Sequence, residues 1–91
     1  MGQTKSDVAV DIKEKIRQFI IDNFFFGSTS ESFLDADSFL DNGIIDSTGI
    51  LELIEFIEEN FQITTENDEL IPENLDSLNN VTRFVQKKMN N

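Results

Sequence analysis

Apolar residues recur along this chain at helical spacing. Ile12, Ile16, Phe19, Ile20 and Phe24 fall at intervals of three and four, which predicts a first helix over about 7–24. Ser6 stands before it as an N-cap, and residues 1–6 read as a flexible leader. Phe24-Phe25-Phe26 ends the helix and Gly27-Ser28-Thr29-Ser30 breaks the pattern. Residues 27–46 form a long connection with scattered apolar anchors, Phe33, Leu34, Phe39, Leu40, Ile44 and Ile45, expected to pin it to the helices.

A second stripe, Ile50, Ile54, Ile57 and Phe61 with Leu51 and Leu53 beside it, predicts a helix from Asp46 or Ser47 to Asn60. Glu52, Glu55, Glu58 and Glu59 fall on the opposite face. Residues 64–68 are a polar loop. Pro72 suits the first turn of a short third helix over 72–75, since its missing N–H has no intrahelical partner there anyway. Ser77 then caps a last helix with the stripe Leu78, Val81, Phe84, Val85 and Met89. No stretch alternates with period two for long enough to argue a strand. The pattern therefore predicts an all-α fold: a small four-helix bundle with a long first loop and a short third helix. The nine phenylalanines, six of them before residue 40, are read as core filling.

With 91 residues and 38% hydrophobic positions, the chain is one domain with a modest core. It has neither cysteine nor histidine. That excludes disulfides, zinc-finger sites and thiol or imidazole catalysis. No apolar run approaches the roughly 18 residues that span a membrane, and the polar N-terminus lacks a signal-peptide core. Residues 1–6 match a loose N-myristoylation pattern, but the leader reading takes precedence. The chain is read as a cytoplasmic monomer.

The net charge of −11 is unevenly spread. All seven basic residues lie outside 18–82, and fifteen acids lie within that span without a base among them. Such a field repels nucleic acid and anionic membrane, and it steers basic protein surfaces toward the chain.

Three Asp-Ser pairs occur: Asp37-Ser38, Asp46-Ser47 and Asp76-Ser77. The ordinary role of each is a turn or a helix cap, and Asp76-Ser77 fits that role fully. Only Asp46-Ser47 joins a glycine turn (Asp41-Asn42-Gly43) before it, an apolar stripe after it and an acidic outer face. A serine there sits at a helix start, where orphan N–H groups and the helix dipole favour a phosphate.

The segment Gly43-Ile44-Ile45-Asp46-Ser47 resembles the attachment site of the acyl carrier protein family, and the likeness extends from about Asp7 to Met89, including the exit Glu58-Glu59-Asn60-Phe61-Gln62-Ile63. Residues 1–6 and 90–91 are left as leader and tail. The resemblance implies a carrier that holds an acyl or aminoacyl group as a thioester on a 4′-phosphopantetheine arm, taken from coenzyme A and attached to Ser47. It further implies recognition of Asp46 by a phosphopantetheinyl transferase. Glu52, Glu55, Glu58 and Glu59 would dock a loading ligase and downstream transferases or synthases with basic surfaces. The chain itself would not be an enzyme. Thr48 stands where the family usually has an apolar residue, and Gly49 where many fatty-acid carriers have an acid. Gly-Ile-Ile-Asp-Ser is nearer to D-alanyl and other specialised carriers than to the housekeeping fatty acid carrier.

Two other readings compete. Asp35, Asp37, Asp41 and Asp46 match ligand positions of a calcium loop, but Phe39 and Leu40 stand where an oxygen ligand and the turn glycine belong, leaving only weak calcium binding. The third reading is an unmodified acidic interaction domain.

Overall fold

A computed structural model describes residues 5–24 and 33–90. Among these residues are four α-helices, α1 (Lys5–Phe24), α2 (Ser47–Phe61), α3 (Pro72–Leu75) and α4 (Leu78–Met89), with a 3₁₀ turn at Asn67–Glu69. There is no strand among the described residues. The protein is a small all-α domain.

Helix α4 is the hub, packed against α1, α3 and, less extensively, α2. Its periodic residues Leu78, Val81, Phe84 and Val85 are all buried. They meet Ile12, Ile16 and Ile20 of α1 and Leu53, Ile54 and Ile57 of α2 in one core. Burying a side chain of this size contributes roughly 1.5–3 kcal/mol, so the helices owe their stability to this shared core. Helices α1 and α2 also meet through aromatic rings. Phe19 stacks on Phe56 with centroids 4.2 Å apart, and Phe24 and Phe61 meet this pair edge-on. Offset stacks and edge contacts are the arrangements that ring quadrupoles favour.

The connection into α2 follows from where its phenylalanines go. Phe33 and Phe39 are buried, with Ile45 beside them. Polar contacts fix the rest. Asp35 pairs with Lys13 and Arg17 of α1, and its carbonyl accepts from Asn79 N at 3.0 Å. Arg17 lies over the Phe33 ring, 4.9 Å from its centroid. Bases that stand far from the acids in sequence thus neutralise the loop on the α1 side.

Several expectations are corrected. The described part of α1 begins at Lys5, so Ser6 falls within the helix and not before it; a boundary can move by a residue or two without altering the packing. Leu34 and Leu40, expected as anchors, are 72% and 45% exposed, because the turns of the connection bring Phe33 and Phe39 to the core in their place. Met89, at the end of the α4 stripe, is exposed as well. In α2 the buried residues are Gly49, Leu53, Ile54 and Ile57, so Ile54 and Ile57 of the expected stripe are buried, while Ile50 and Phe61 are only half-buried and Leu51 is turned outward. Among its described residues, the connection holds turns at 35–36 and 39–43. Residues 1–4, the Gly27–Ser30 break with Phe25 and Phe26, and Asn91 lie outside the described residues.

Candidate functional site

The start of α2 is built by the turn before it. Asn42 N donates to Ser38 O at 3.1 Å and Gly43 N to Leu40 O at 3.2 Å; Ile44 N then donates to Phe39 O at 2.8 Å. Gly43 adopts φ +67°, a left-handed conformation that glycine takes without strain. Ile45, 1% exposed, fixes the chain in the core one residue before Asp46.

Asp46 is the N-cap. Its backbone is extended and its Oδ1 accepts from Gly49 N at 2.7 Å. The carboxylate thereby satisfies one orphan donor and places negative charge at the positive end of the helix dipole. Because Asp46 takes that role, Ser47 does not. Ser47 is the first helical residue, is exposed, and its hydroxyl makes no hydrogen bond among the described residues.

Gly49 is buried, and the reason lies inside the molecule. A Cβ at this position would come within 2.7 Å of both Ile45 Cγ2 and Phe24 Cε1. The missing side chain lets the end of α1 close against the start of α2, which holds the turn bearing Ser47 in place.

The other two Asp-Ser pairs are spent on structure. Ser77 Oγ caps α4, accepting from Asn80 N at 3.1 Å, and is 6% exposed. The Asp76 carboxylate accepts from the Ser38 hydroxyl and, at 2.9 Å, from Leu40 N. Asp37 Oδ2 accepts from Leu34 N at 2.9 Å within its own turn.

The acids of α2 divide. Glu52, Glu55 and Glu59 are exposed and unpaired. Glu58 is half-buried and accepts from Thr65 N at 2.9 Å and from the Thr65 hydroxyl at 2.8 Å. The backbone bond, followed by the hydroxyl bond, holds its carboxyl below the usual carboxylate range, against a smaller desolvation effect. Glu58 therefore fastens the loop after α2 and is less open than Glu52, Glu55 and Glu59. The described ion pairs, Lys13 and Arg17 with Asp35 and Lys88 with Glu69, all lie on other elements. Lys88 chiefly holds the Glu69 carboxyl low.

A groove of about 190 Å³ runs beside Ser47, walled by Leu40, Ile50, Leu70, Ile71 and Leu75. Sequence reading missed it, because its walls come from three separate segments; the one available signal was apolar residues in loops, Leu40 and Ile71. Two larger recesses, about 410 and 330 Å³, flank α3 on its α4 side and share Glu73, Asn80 and Arg83; neither reaches Ser47.

The carboxylates of the calcium-loop reading are separated by this fold. Asp35 faces α1, Asp37 closes its own turn and Asp46 caps α2. Among the described residues no group of three or more acids is placed to hold a metal ion, and no helix is long and apolar enough to cross a membrane. No protein-family model matches the chain, and no curated protein matches it in sequence.

Proposed function

We propose that the protein is a carrier whose Ser47 bears a 4′-phosphopantetheine arm and presents an acyl or aminoacyl thioester to partner enzymes. The observation that carries this reading is the free, exposed hydroxyl of Ser47 beside a helix start already capped by Asp46. The likeness of Gly43-Ile44-Ile45-Asp46-Ser47 to the carrier attachment site supports it. So does the resemblance of residues 7–89 to the carrier family.

The residues present fit the group. Attachment makes a bond from Ser47 Oγ to phosphorus and breaks the pyrophosphate bond of coenzyme A, with the nucleotide leaving. The hydroxyl proton goes to a base of the transferase, since the described part of α2 and its approach carries no lysine, arginine or histidine. When bound, the arm supplies the thiol that this cysteine-free chain lacks. Asp46 positions the site for the transferase. Exposed Glu52, Glu55 and Glu59 attract basic partner surfaces by long-range steering.

The test is intact mass after incubation with coenzyme A and a broad-specificity phosphopantetheinyl transferase, with Ser47→Ala alongside. One added phosphopantetheine, absent in the variant, is the expected result. An unchanged mass, with protein from its native host also unmodified, leaves an acidic interaction domain. In the same assay Glu52→Lys lowers the association rate with the transferase several-fold at low salt and little at high salt. Equal rates for both proteins at low salt would remove Glu52 from the docking face.

A further inference from the structure

Charged side chains on α4 face a segment of opposite sign. The two recesses beside α3 meet at Glu73, Asn80 and Arg83 and form one trough, which runs along α4 from its cap Ser77 to Lys88. At 1.5 Å per residue that wall is about 16 Å long, the length of roughly three helical turns. In the half nearer the C-terminus, Asp68, Glu69 and Glu73 stand on one bank and Arg83, Lys87 and Lys88 on the other. Lys88 and Glu69 are joined at 2.9 Å. The rest of the charges are not. Arg83 donates to Asn80 Oδ1 at 2.7 Å and reaches no carboxylate, while exposed Lys87, Asp68 and Glu73 have no ion-pair partner among the described residues.

We propose that this trough docks a helix of a partner protein, one that turns two carboxylates a helical turn apart toward α4 and a base toward Glu73. The proposal stands whether or not Ser47 carries the arm. Arg83 and Lys87 are four residues apart on α4, the spacing at which side chains on one helix face are neighbours, and acids at i and i+4 of a second helix repeat it. Length favours a protein segment, because a small zwitterion would fill one recess and leave the other open. Sign disfavours nucleic acid and anionic membrane, which Asp68 and Glu73 repel. A second copy of this chain brings its own net charge of −11 and is opposed by it. Phe84, buried in the same wall, fastens α4 to the core while Arg83 and Lys87 stay exposed. Ser47 lines neither recess, so a docked helix leaves the start of α2 open. The cations of the trough and the acids of α2 call for opposite charges on a partner, which fixes the orientation of docking.

The experiment titrates the isotope-labelled protein with a stapled helical peptide that carries this charge pattern, and with a scrambled peptide of the same composition, following amide NMR signals. The patterned peptide should shift Glu73, Arg83 and Lys87 and bind several-fold more tightly than the scrambled one. Arg83→Glu should keep the helical circular dichroism and lose that preference. Equal affinities, or shifts confined to other residues, overturn the proposal. A carbodiimide, which joins a lysine to a carboxylate it touches, then tests the protein in extract of its native host. The internal link between Lys88 and Glu69 reports an intact fold. Lys87 should be joined to a segment of another protein in which a second acid stands four residues away, and Arg83→Glu should lose that product while keeping the internal link. Lys87 joined to a second copy of this chain overturns the proposal in favour of self-association. The internal link alone overturns it in favour of a solvated surface.

Discussion

At the start of α2 the aspartate caps the helix and the serine faces solvent; at the start of α4 the serine caps and the aspartate ties down a loop. Asp46 accepts from Gly49 N, and the Ser47 hydroxyl has no hydrogen bond among the described residues. Ser77 accepts from Asn80 N, and Asp76 accepts from Ser38 Oγ and Leu40 N. The same dipeptide stands at the start of both helices, yet a shift of one residue in the cap reverses which side chain is left over. A serine becomes available for chemistry when its neighbour has already met the needs of the helix end.

Removing each side chain tests that division. Asp76→Ala should cost the most, about 2 kcal/mol, because it strips two donors of a charged acceptor and frees the turn that positions Leu40. Urea unfolding measures it; a loss below that of a simple surface substitution would show that Asp76 does not fasten the turn. Gly49→Ala comes next. Overpacking costs about 1–3 kcal/mol and exceeds the roughly 1 kcal/mol that alanine gains over glycine in a helix, since buried Ile45 has little room to withdraw. A lower melting temperature is expected. A higher one would mean that Phe24 swings aside freely.

The direct contrast is between the two serines. Ser77→Ala should lose about 1 kcal/mol, the usual worth of a helix cap, whereas Ser47→Ala should fall within about 0.5 kcal/mol of the parent. Equal losses in chemical unfolding would erase the distinction on which the candidate site rests.

Much of this was legible in the chain. The helices over 47–61, 72–75 and 78–89 followed from apolar spacing, Pro72 and Ser77, because period and cap residues act locally. That Ser47 stands at the exposed start of a helix was legible for the same reason. What the sequence did not reveal was tertiary. The buried face of α2 is rotated toward Leu53, and that depends on Phe24 reaching Gly49 across the fold. The grouping of Leu40, Ile50 and Ile71 into a groove depends on three segments meeting. Glu58 follows the spacing of a docking face, but its partner Thr65 lies beyond the end of the helix, so no count along α2 separates it from Glu55 or Glu59.

That last pair repeats, at the far end of α2, the contrast between a tied side chain and a free one. Thr65 holds the Glu58 carboxyl below its ordinary value of 4.5 in the folded protein, while the unfolded chain returns it to that value. A depressed folded pKa contributes stability above the unfolded value and loses it as pH falls through the folded one. Glu58→Gln should therefore be less stable than the parent at pH 7, and the gap should close as pH falls below the ordinary value of 4.5 and through the lowered folded one. Glu69, also held low by Lys88, is present in both proteins and cancels from the difference. Glu55→Gln is the control: exposed and unpaired, it should gain slightly at pH 7 from relieved repulsion among the α2 acids. Urea unfolding of the three proteins across that range decides the matter. A Glu58→Gln gap that stays constant as pH falls would mean that the shape of the side chain, and not its charge, secures the loop.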